Sequence, residues 1–114
     1  MIIHVPNKNT LKIDDFKLRC CIGKGGINFN KKEGDTSTPK GLFYLRKLYF
    51  RKDRVGIPKC KVYKKVIKQD MAWCDDPKHK KYNEEIKTRH KNLEESLYRK
   101  DHKYDYIISI SHNE

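Results

Sequence analysis

Residues 42–50 read LFYLRKLYF, and the fold class follows from this stretch. Large apolar side chains stand at both odd and even positions along it: Leu42, Phe43, Tyr44, Leu45, Leu48, Tyr49 and Phe50. Because successive side chains of a β-strand point to opposite faces, an extended backbone here is apolar on both sides. The pattern predicts a strand covered on both faces, at the centre of a mainly β fold.

Shorter runs on either side of this strand also predict β structure. Apolar and polar residues alternate through residues 11–22, which predicts a hairpin that turns at Asp14 and Asp15. Residues 60–67 predict one more short strand. Residues 23–40 are glycine-rich and polar and predict a long loop, and residues 70–82 show no regular period.

The last predicted strand has the clearest pattern of a buried strand. Residues 104–111 read YDYIISIS, with every second position apolar on what we expect to be the buried face: Tyr104, Tyr106, Ile108 and Ile110. The strand ends three residues before the chain does, although a core strand normally has a neighbour on each side. We therefore expect residues 1–114 to form a single domain that is incomplete at its C-terminal end and that folds poorly by itself.

One short helix is predicted near the C-terminal end of the chain. Asn92 can cap it, Glu95 stands three residues further on, and Leu93 and Leu97 share one face. The fold class predicted from the sequence is thus mainly β with one short helix.

The composition describes a strongly basic chain. Among its 114 residues, 27 are Lys or Arg and 15 are Asp or Glu, which gives a net charge of +12. Lys dominates the basic residues, and it supplies a diffuse field for polyanions, whereas bidentate recognition of phosphate or bases favours Arg. Codon usage in an AT-rich genome would produce the same excess of Lys. No apolar run approaches the length of a transmembrane helix, and residues 1–11 show no signal-peptide pattern.

The densest basic run lies at residues 59–68, KCKVYKKVIK. Modules that bind nucleic acid typically contain Arg, stacking aromatic residues and a known consensus sequence, and this run has none of these. We interpret it as the solvated edge of a sheet, where Lys discourages pairing with other strands. A basic binding module for nucleic acid or an anionic cell-wall polymer remains the alternative function.

The four cysteines, Cys20, Cys21, Cys60 and Cys74, do not form a metal-binding pattern. CxxC is absent, and the adjacent Cys20 and Cys21 point to opposite faces of a strand. No metal or cofactor is expected, and two disulfides remain possible in an exported protein. Cys74 is flanked by Asp75, whose charge disfavours a reactive thiolate, so we interpret it as structural.

The most specific stretch is GDTSTPKGLF at residues 34–43. Asp35 can bond to the backbone of the residues that follow it, Pro39 sets a turn, and Gly41 permits an unusual φ. The preceding GKGG at residues 23–26 lacks the spacing of a phosphate-binding loop and predicts only a glycine turn.

Residues 34–43 resemble the D-x-x-TP-x-G-x-F/Y element of the L,D-transpeptidase catalytic domain (YkuD type), a family that cross-links peptidoglycan. The resemblance extends, in order, through residues 20–54, WCDDP at 73–77, YN at 82–83, LYRKD at 97–101 and YD at 104–105. It ends with HNE at 112–114, where relatives usually have YND or YNE, so His112 stands in place of an aromatic residue. The resemblance implies a partial β-sandwich catalytic domain whose motif residues are Asp35, Thr38, Pro39, Gly41, Trp73, Asp75 and Asp76. It also implies stem peptides of peptidoglycan as partners, a location in the periplasm or cell wall, and no cofactor.

The family's reaction uses a cysteine thiolate, which attacks a stem-peptide carbonyl and passes the acyl group to an amine. That cysteine lies in a C-terminal His and Gly-Cys segment, and no such segment occurs in this sequence. We therefore assign no catalytic residue, and expect an inactive chain. A complementing C-terminal fragment is a possible partner.

Overall fold

The computed structural model describes residues 1–87 and 94–112. These residues form many short strands and one helical turn, which confirms the prediction of a mainly β fold with one short helix. The chain divides into two compact units, Met1–Leu42 and Phe43–Glu114. That the whole chain is a single domain stays a prediction, and each unit is described by itself.

The first unit begins with a three-stranded antiparallel sheet in the order β1-β2-β3: Ile3–Asn7, Thr10–Ile13 and Phe16–Arg19. Ile13 pairs with Phe16, so Asp14 and Asp15 form a two-residue turn. Asp14 has a φ of 50°, a left-handed conformation that Asp tolerates better than most residues. The predicted hairpin is therefore confirmed at its predicted turn.

The rest of the first unit is a loop held together by a short parallel pair, β4 (Ile27–Asn28) and β5 (Thr38–Pro39). The glycines before β4 allow this loop to close, because a Cβ at Gly23 would lie 2.2 Å from the carbonyl oxygen of Thr36. The amide of Gly25 donates to the same oxygen at 2.9 Å. The GKGG segment thus forms the predicted glycine turn, which packs against the backbone of Thr36.

The second unit contains two three-stranded sheets. One has the order β11-β6-β7, from strands Tyr106–Ile110, Leu45–Phe50 and Tyr63–Val66. The other has the order β10-β8-β9, from strands Glu94–Ser96, Met71–Cys74 and Glu85–Lys87. The helix α1, Lys52–Val55, follows β6. The strand predicted within residues 42–50 is confirmed over Leu45–Phe50, and the short strand predicted within 60–67 is confirmed as β7. The predicted cover on both faces holds only for Leu48, Tyr49 and Phe50, because Leu42, Tyr44 and Leu45 are exposed.

The core of the second unit draws side chains from both sheets. Tyr49, Ile67, Met71 and Leu97 form its buried cluster, each at most 4% exposed. Partly buried Trp73, Tyr98, Tyr104 and Ile107 pack around it. Apolar burial of this kind is the main stabilising contribution available to a chain with so few large apolar residues.

Two predictions about local structure are wrong. The helix predicted from Asn92 is replaced by strand β10, which pairs with β8 through Glu94 opposite Cys74; Asn92 and Leu93 lie outside the described residues. The one helix is instead α1. The region 70–82, predicted to be irregular, contains β8, a central strand. In both cases pairing with strands distant in the sequence outweighs the weak local signals.

The strand β11 is confirmed, but its predicted buried face is wrong within the strand. Tyr106, Ile108 and Ile110 are 52%, 44% and 38% exposed, whereas Ile107 packs against the core, as does Tyr104 just before the strand, which was predicted to be buried. Ile107 stands opposite the buried Tyr49 of β6 and shares its face. Tyr106 and Ile108 stand opposite Phe50 and Leu48, which are also buried, so this second face is covered at β6 and open at β11.

Candidate functional site

A groove of about 560 Å³ lies within the second unit. Its walls come from β6, β7, β8, the segment before β9 and the residues at and after the end of β11, through Tyr49, Lys65, Trp73, Asn83, Glu85 and His112. This volume falls in the range of small-molecule and peptide sites, and the lining mixes aromatic rings with charged groups.

A chain of hydrogen bonds joins three segments at this groove. The indole N–H of Trp73 donates to Oδ1 of Asn83 at 3.0 Å, and Nδ2 of Asn83 donates to the carbonyl oxygen of His112 at 3.1 Å. Asn83 has a φ of 61°, and its backbone amide donates to the carbonyl oxygen of Cys74 at 2.8 Å. The backbone and side chain of Asn83 thus tie the end of β8 to the segment after β11.

An ion pair and a buried phenol lie beside this chain. Nζ of Lys65 lies 2.8 Å from Oε2 of Glu85, across the two sheets. Burial, together with the negative charge of Glu85 and a hydrogen bond to it, raises the pKa of Tyr49 to about 12. Tyr49 therefore stays protonated in the physiological range and can only act as a neutral hydrogen-bonding group. Its ring also meets that of Trp73 edge-on, with centroids 6.2 Å apart.

His112 contributes both a carbonyl group and an imidazole ring to the groove. Its ring stands edge-on to Phe43, with centroids 5.5 Å apart. The atom Nε2 is buried and has no hydrogen-bond partner among the described residues. A buried ring nitrogen without a partner costs free energy.

The loop at residues 34–43 belongs to the first unit and is organised by Asp35. Its carboxylate accepts hydrogen bonds from the amides of Lys32 and Ser37 at 2.8 and 2.9 Å, and from the Ser37 hydroxyl at 2.8 Å. Nζ of Lys31 lies 3.1 Å from the same group. These bonds, led by that from the Lys32 amide, hold the pKa of Asp35 well below its usual range.

Asp35 should therefore stabilise its loop at every pH above the ordinary Asp pKa of about 4. Its lowered pKa means that this contribution is lost only as the pH falls below that value, through the folded pKa. At pH 6, we expect Asp35→Asn to speed hydrogen exchange of the Lys32 and Ser37 amides by about tenfold. The matched control is Asp15→Asn, which removes the same charge from an exposed turn. Equal exchange in the two variants would contradict this role for Asp35.

The structure distributes the motif residues of the resemblance between the two units. In the first unit, Asp35 organises the loop, the Thr38 hydroxyl accepts from the Gly23 amide at 2.7 Å, and Gly41 adopts a φ of 149°. Pro39 forms part of β5. The carboxylate of Asp35 and the φ of Gly41 thus behave as the sequence predicts for a constrained loop.

In the second unit, only Trp73 among these motif residues lines the groove. Asp75 is exposed, and Asp76 accepts a hydrogen bond from the Lys78 amide at 3.0 Å in the turn after β8. Sequence reasoning missed Tyr49, Lys65 and Glu85 as groove residues. Only Asn83, within the YN pair, carried a signal, since Asn tolerates the positive φ that a tight turn requires.

The sulfur atoms lie outside this groove. Cys74 is 1% exposed, and its backbone is bonded on both sides to the segment before β9. Cys20, Cys21 and Cys60 are free thiols at intermediate or exposed positions. In residues 1–87 and 94–112 no thiol is hydrogen-bonded to an imidazole, and no group of three metal-binding side chains occurs.

No family model, curated protein or solved structure matches this chain. Across residues 1–87 and 94–112, no helix has the length and apolar character needed to cross a membrane.

Proposed function

We propose that this chain is the supporting part of an L,D-transpeptidase-type domain, which binds stem peptides of peptidoglycan in the groove without transferring their acyl groups. One observation carries the proposal. Trp73, Asn83 and His112, which belong to three separate parts of the family resemblance, are joined by the bonds from Trp73 to Asn83 and from Asn83 to His112. Contact between residues of separate motif segments supports the proposal of a shared site.

The chemistry of the groove suits a peptide. Trp73, Tyr49 and His112 line the groove with aromatic rings. Lys47 can attract a carboxylate and Glu84 an ammonium group, and both line the groove. A short peptide with charged groups of both signs could use all of these contacts at once.

We expect no acyl transfer because of the surroundings of the described thiols. Acyl transfer by cysteine needs a thiolate beside a base, with donors for the oxyanion. Cys74 is buried beside acidic neighbours, and none of the described thiols has an imidazole partner. We therefore expect the described residues to bind substrate only.

Binding can be measured through Trp73, which is the only tryptophan in the sequence. Titration with a synthetic tetrapeptide stem should give a saturable change in its fluorescence. Asn83→Ala removes the indole's acceptor and should weaken binding about tenfold, whereas Asn30→Ala, in an exposed loop of the first unit, should leave it unchanged. The absence of any saturable change would contradict the proposed site.

The lack of chemistry has a separate test. After incubation with a carbapenem, which acylates the nucleophilic cysteine of this family, intact-mass measurement should show no covalent adduct. An adduct on Cys20, Cys21, Cys60 or Cys74 would contradict the non-catalytic assignment while leaving peptide binding intact.

The competing class is a basic module for nucleic acid or another polyanion. Three of the six arginines argue against it, because Arg51, Arg54 and Arg99 are each bonded to an aspartate within the second unit. Their planar groups are therefore engaged within the protein and do not face a partner. Affinity for unrelated nucleic acids that falls steeply with salt would support the competing class. Retention on purified peptidoglycan after removal of its anionic polymers would support the proposal above.

A further inference from the structure

The strand β11 has a free edge. It pairs with β6 on one side, and no described strand pairs with its other side. Odd-numbered residues direct their backbone groups toward β6: the Asp105 carbonyl accepts from the Arg51 amide, and the Ser111 amide donates to the Tyr44 carbonyl, each at 3.0 Å. In an antiparallel ladder the alternate residues then direct their N–H and C=O groups outward. These residues are Tyr106, Ile108 and Ile110.

The two edges of this sheet differ in how they resist pairing. The opposite edge, β7, carries Lys64 and Lys65, with Lys61 and Lys68 flanking it, and such charges discourage addition of another strand. The strand β11 reads YIISI and has no charge, no Pro and no Gly. Its outward residues are also those with exposed apolar side chains, at 38–52% exposure. The β11 edge therefore offers both hydrogen bonds and apolar area to an added strand.

Charge indicates what kind of strand would add. The second unit, residues 43–114, has 19 basic and 11 acidic residues, so its net charge is 19 − 11 = +8. Just before β11, Asp101 is paired with Arg99 and Asp105 with Arg54, whereas Lys100 and Lys103 are exposed. A second copy of this chain would bring like charges together, and an acidic strand would neutralise them.

We propose that the β11 edge binds an extended segment of another polypeptide, with alternating apolar residues flanked by acidic ones, as an added β-strand. The main-chain bonds of Tyr106, Ile108 and Ile110 give the pairing, their side chains give apolar contact, and the lysines select an acidic partner. This proposal goes beyond stem-peptide binding, since it rests on the edge strand and not on the family assignment; of the three outward residues, Ile110 also lines the groove.

The probe is a fluorescent ten-residue peptide of alternating Ile and Thr with two Glu at each end. Binding to the full chain is followed by fluorescence anisotropy. The decisive variant is Ile108→Pro, because it deletes an outward N–H without removing a bond to β6, and Pro is tolerated on a strand edge. Ile108→Thr is the matched control, which changes the same side chain but keeps the N–H. We expect the Pro variant to bind about tenfold more weakly than the Thr variant.

Two more measurements complete the test. Tyr63→Lys, at an exposed site on the β7 edge, should leave the affinity unchanged, and a peptide with Lys in place of Glu should bind at least tenfold more weakly. Circular dichroism checks that each variant keeps the wild-type fold. Equal binding by the Pro and Thr variants would overturn strand addition. If the Glu and Lys peptides bind equally, or if light scattering shows that the chain dimerises without peptide, the proposal of an acidic partner is wrong. If no peptide binds, both strand addition and the acidic partner are wrong.

Discussion

Replacing Ile67 with Ala is expected to lower the free energy of unfolding by about 2–5 kcal/mol. Ile67 is 2% exposed and belongs to the buried cluster with Tyr49, Met71 and Leu97. Truncation removes apolar contacts and leaves a cavity between two sheets that share this one cluster. Because small domains are stable by only about 5–15 kcal/mol, the loss should unfold a measurable fraction of molecules at 37 °C.

The matched control is Ile57→Ala, in which the same side chain is 63% exposed. It should change the free energy of unfolding by less than about 0.5 kcal/mol. Urea denaturation followed by Trp73 fluorescence measures both variants, since Trp73 packs against the cluster. Equal effects of the two substitutions would contradict the assigned core. A cooperative transition of the unmodified chain would in addition contradict the expectation that it folds poorly alone.

Replacing Arg51 should give the second large effect. Its side chain is 3% exposed and makes two bonds to the Asp53 carboxylate, at 2.9 and 2.7 Å, and one to the Arg99 carbonyl, at 2.8 Å. The guanidinium group also stacks on the ring of Tyr98, 3.6 Å from its centroid. One planar group thus joins the start of α1 to the segment after β10.

We expect Arg51→Lys to lower the unfolding midpoint by about 5 °C or more, although it keeps the charge. An ammonium group can neither form the paired bonds to Asp53 nor stack in the same plane. Lys52→Ala, which removes an exposed cation next in sequence, should have little effect. Differential scanning calorimetry distinguishes the two, and an unchanged midpoint in the Arg51 variant would show that the network is dispensable.

The same network makes a prediction about pH. The hydrogen bond from Arg51, followed by the Coulombic attraction of that group, lowers the pKa of Asp53 to about 2. Asp53 therefore contributes to stability above about pH 4, and this contribution is lost as the pH falls toward 2. In Arg51→Ala, the Asp53 carboxyl should titrate near pH 4 in a carbon-detected NMR titration. If the Asp53 carboxyl still titrates near pH 2 in this variant, a group other than Arg51 lowers its pKa.

Local patterns in the sequence predicted local structure well. The turn at Asp14 and Asp15, the Lys-rich edge at β7 and the carboxylate-centred loop at Asp35 are each decided by residues within a few positions of one another. In such cases a turn, a charge or a side-chain acceptor acts on its own backbone, so nearby residues suffice for a prediction.

Long-range pairing decided the rest. Residues 94–96 carry a helix-like pattern but form β10, because β8 offers them a ladder of hydrogen bonds. Within β11 only the folded structure shows that Ile107 meets the core, and that the face of Tyr106 and Ile108 is covered at β6 but open at β11. The groove likewise joins Trp73, Asn83 and His112 across 39 positions of sequence. Periodicity along a chain determines that a strand forms and which residues share a side. Which side is buried, and which distant side chains meet, depends on contacts whose free energy exists only in the folded state.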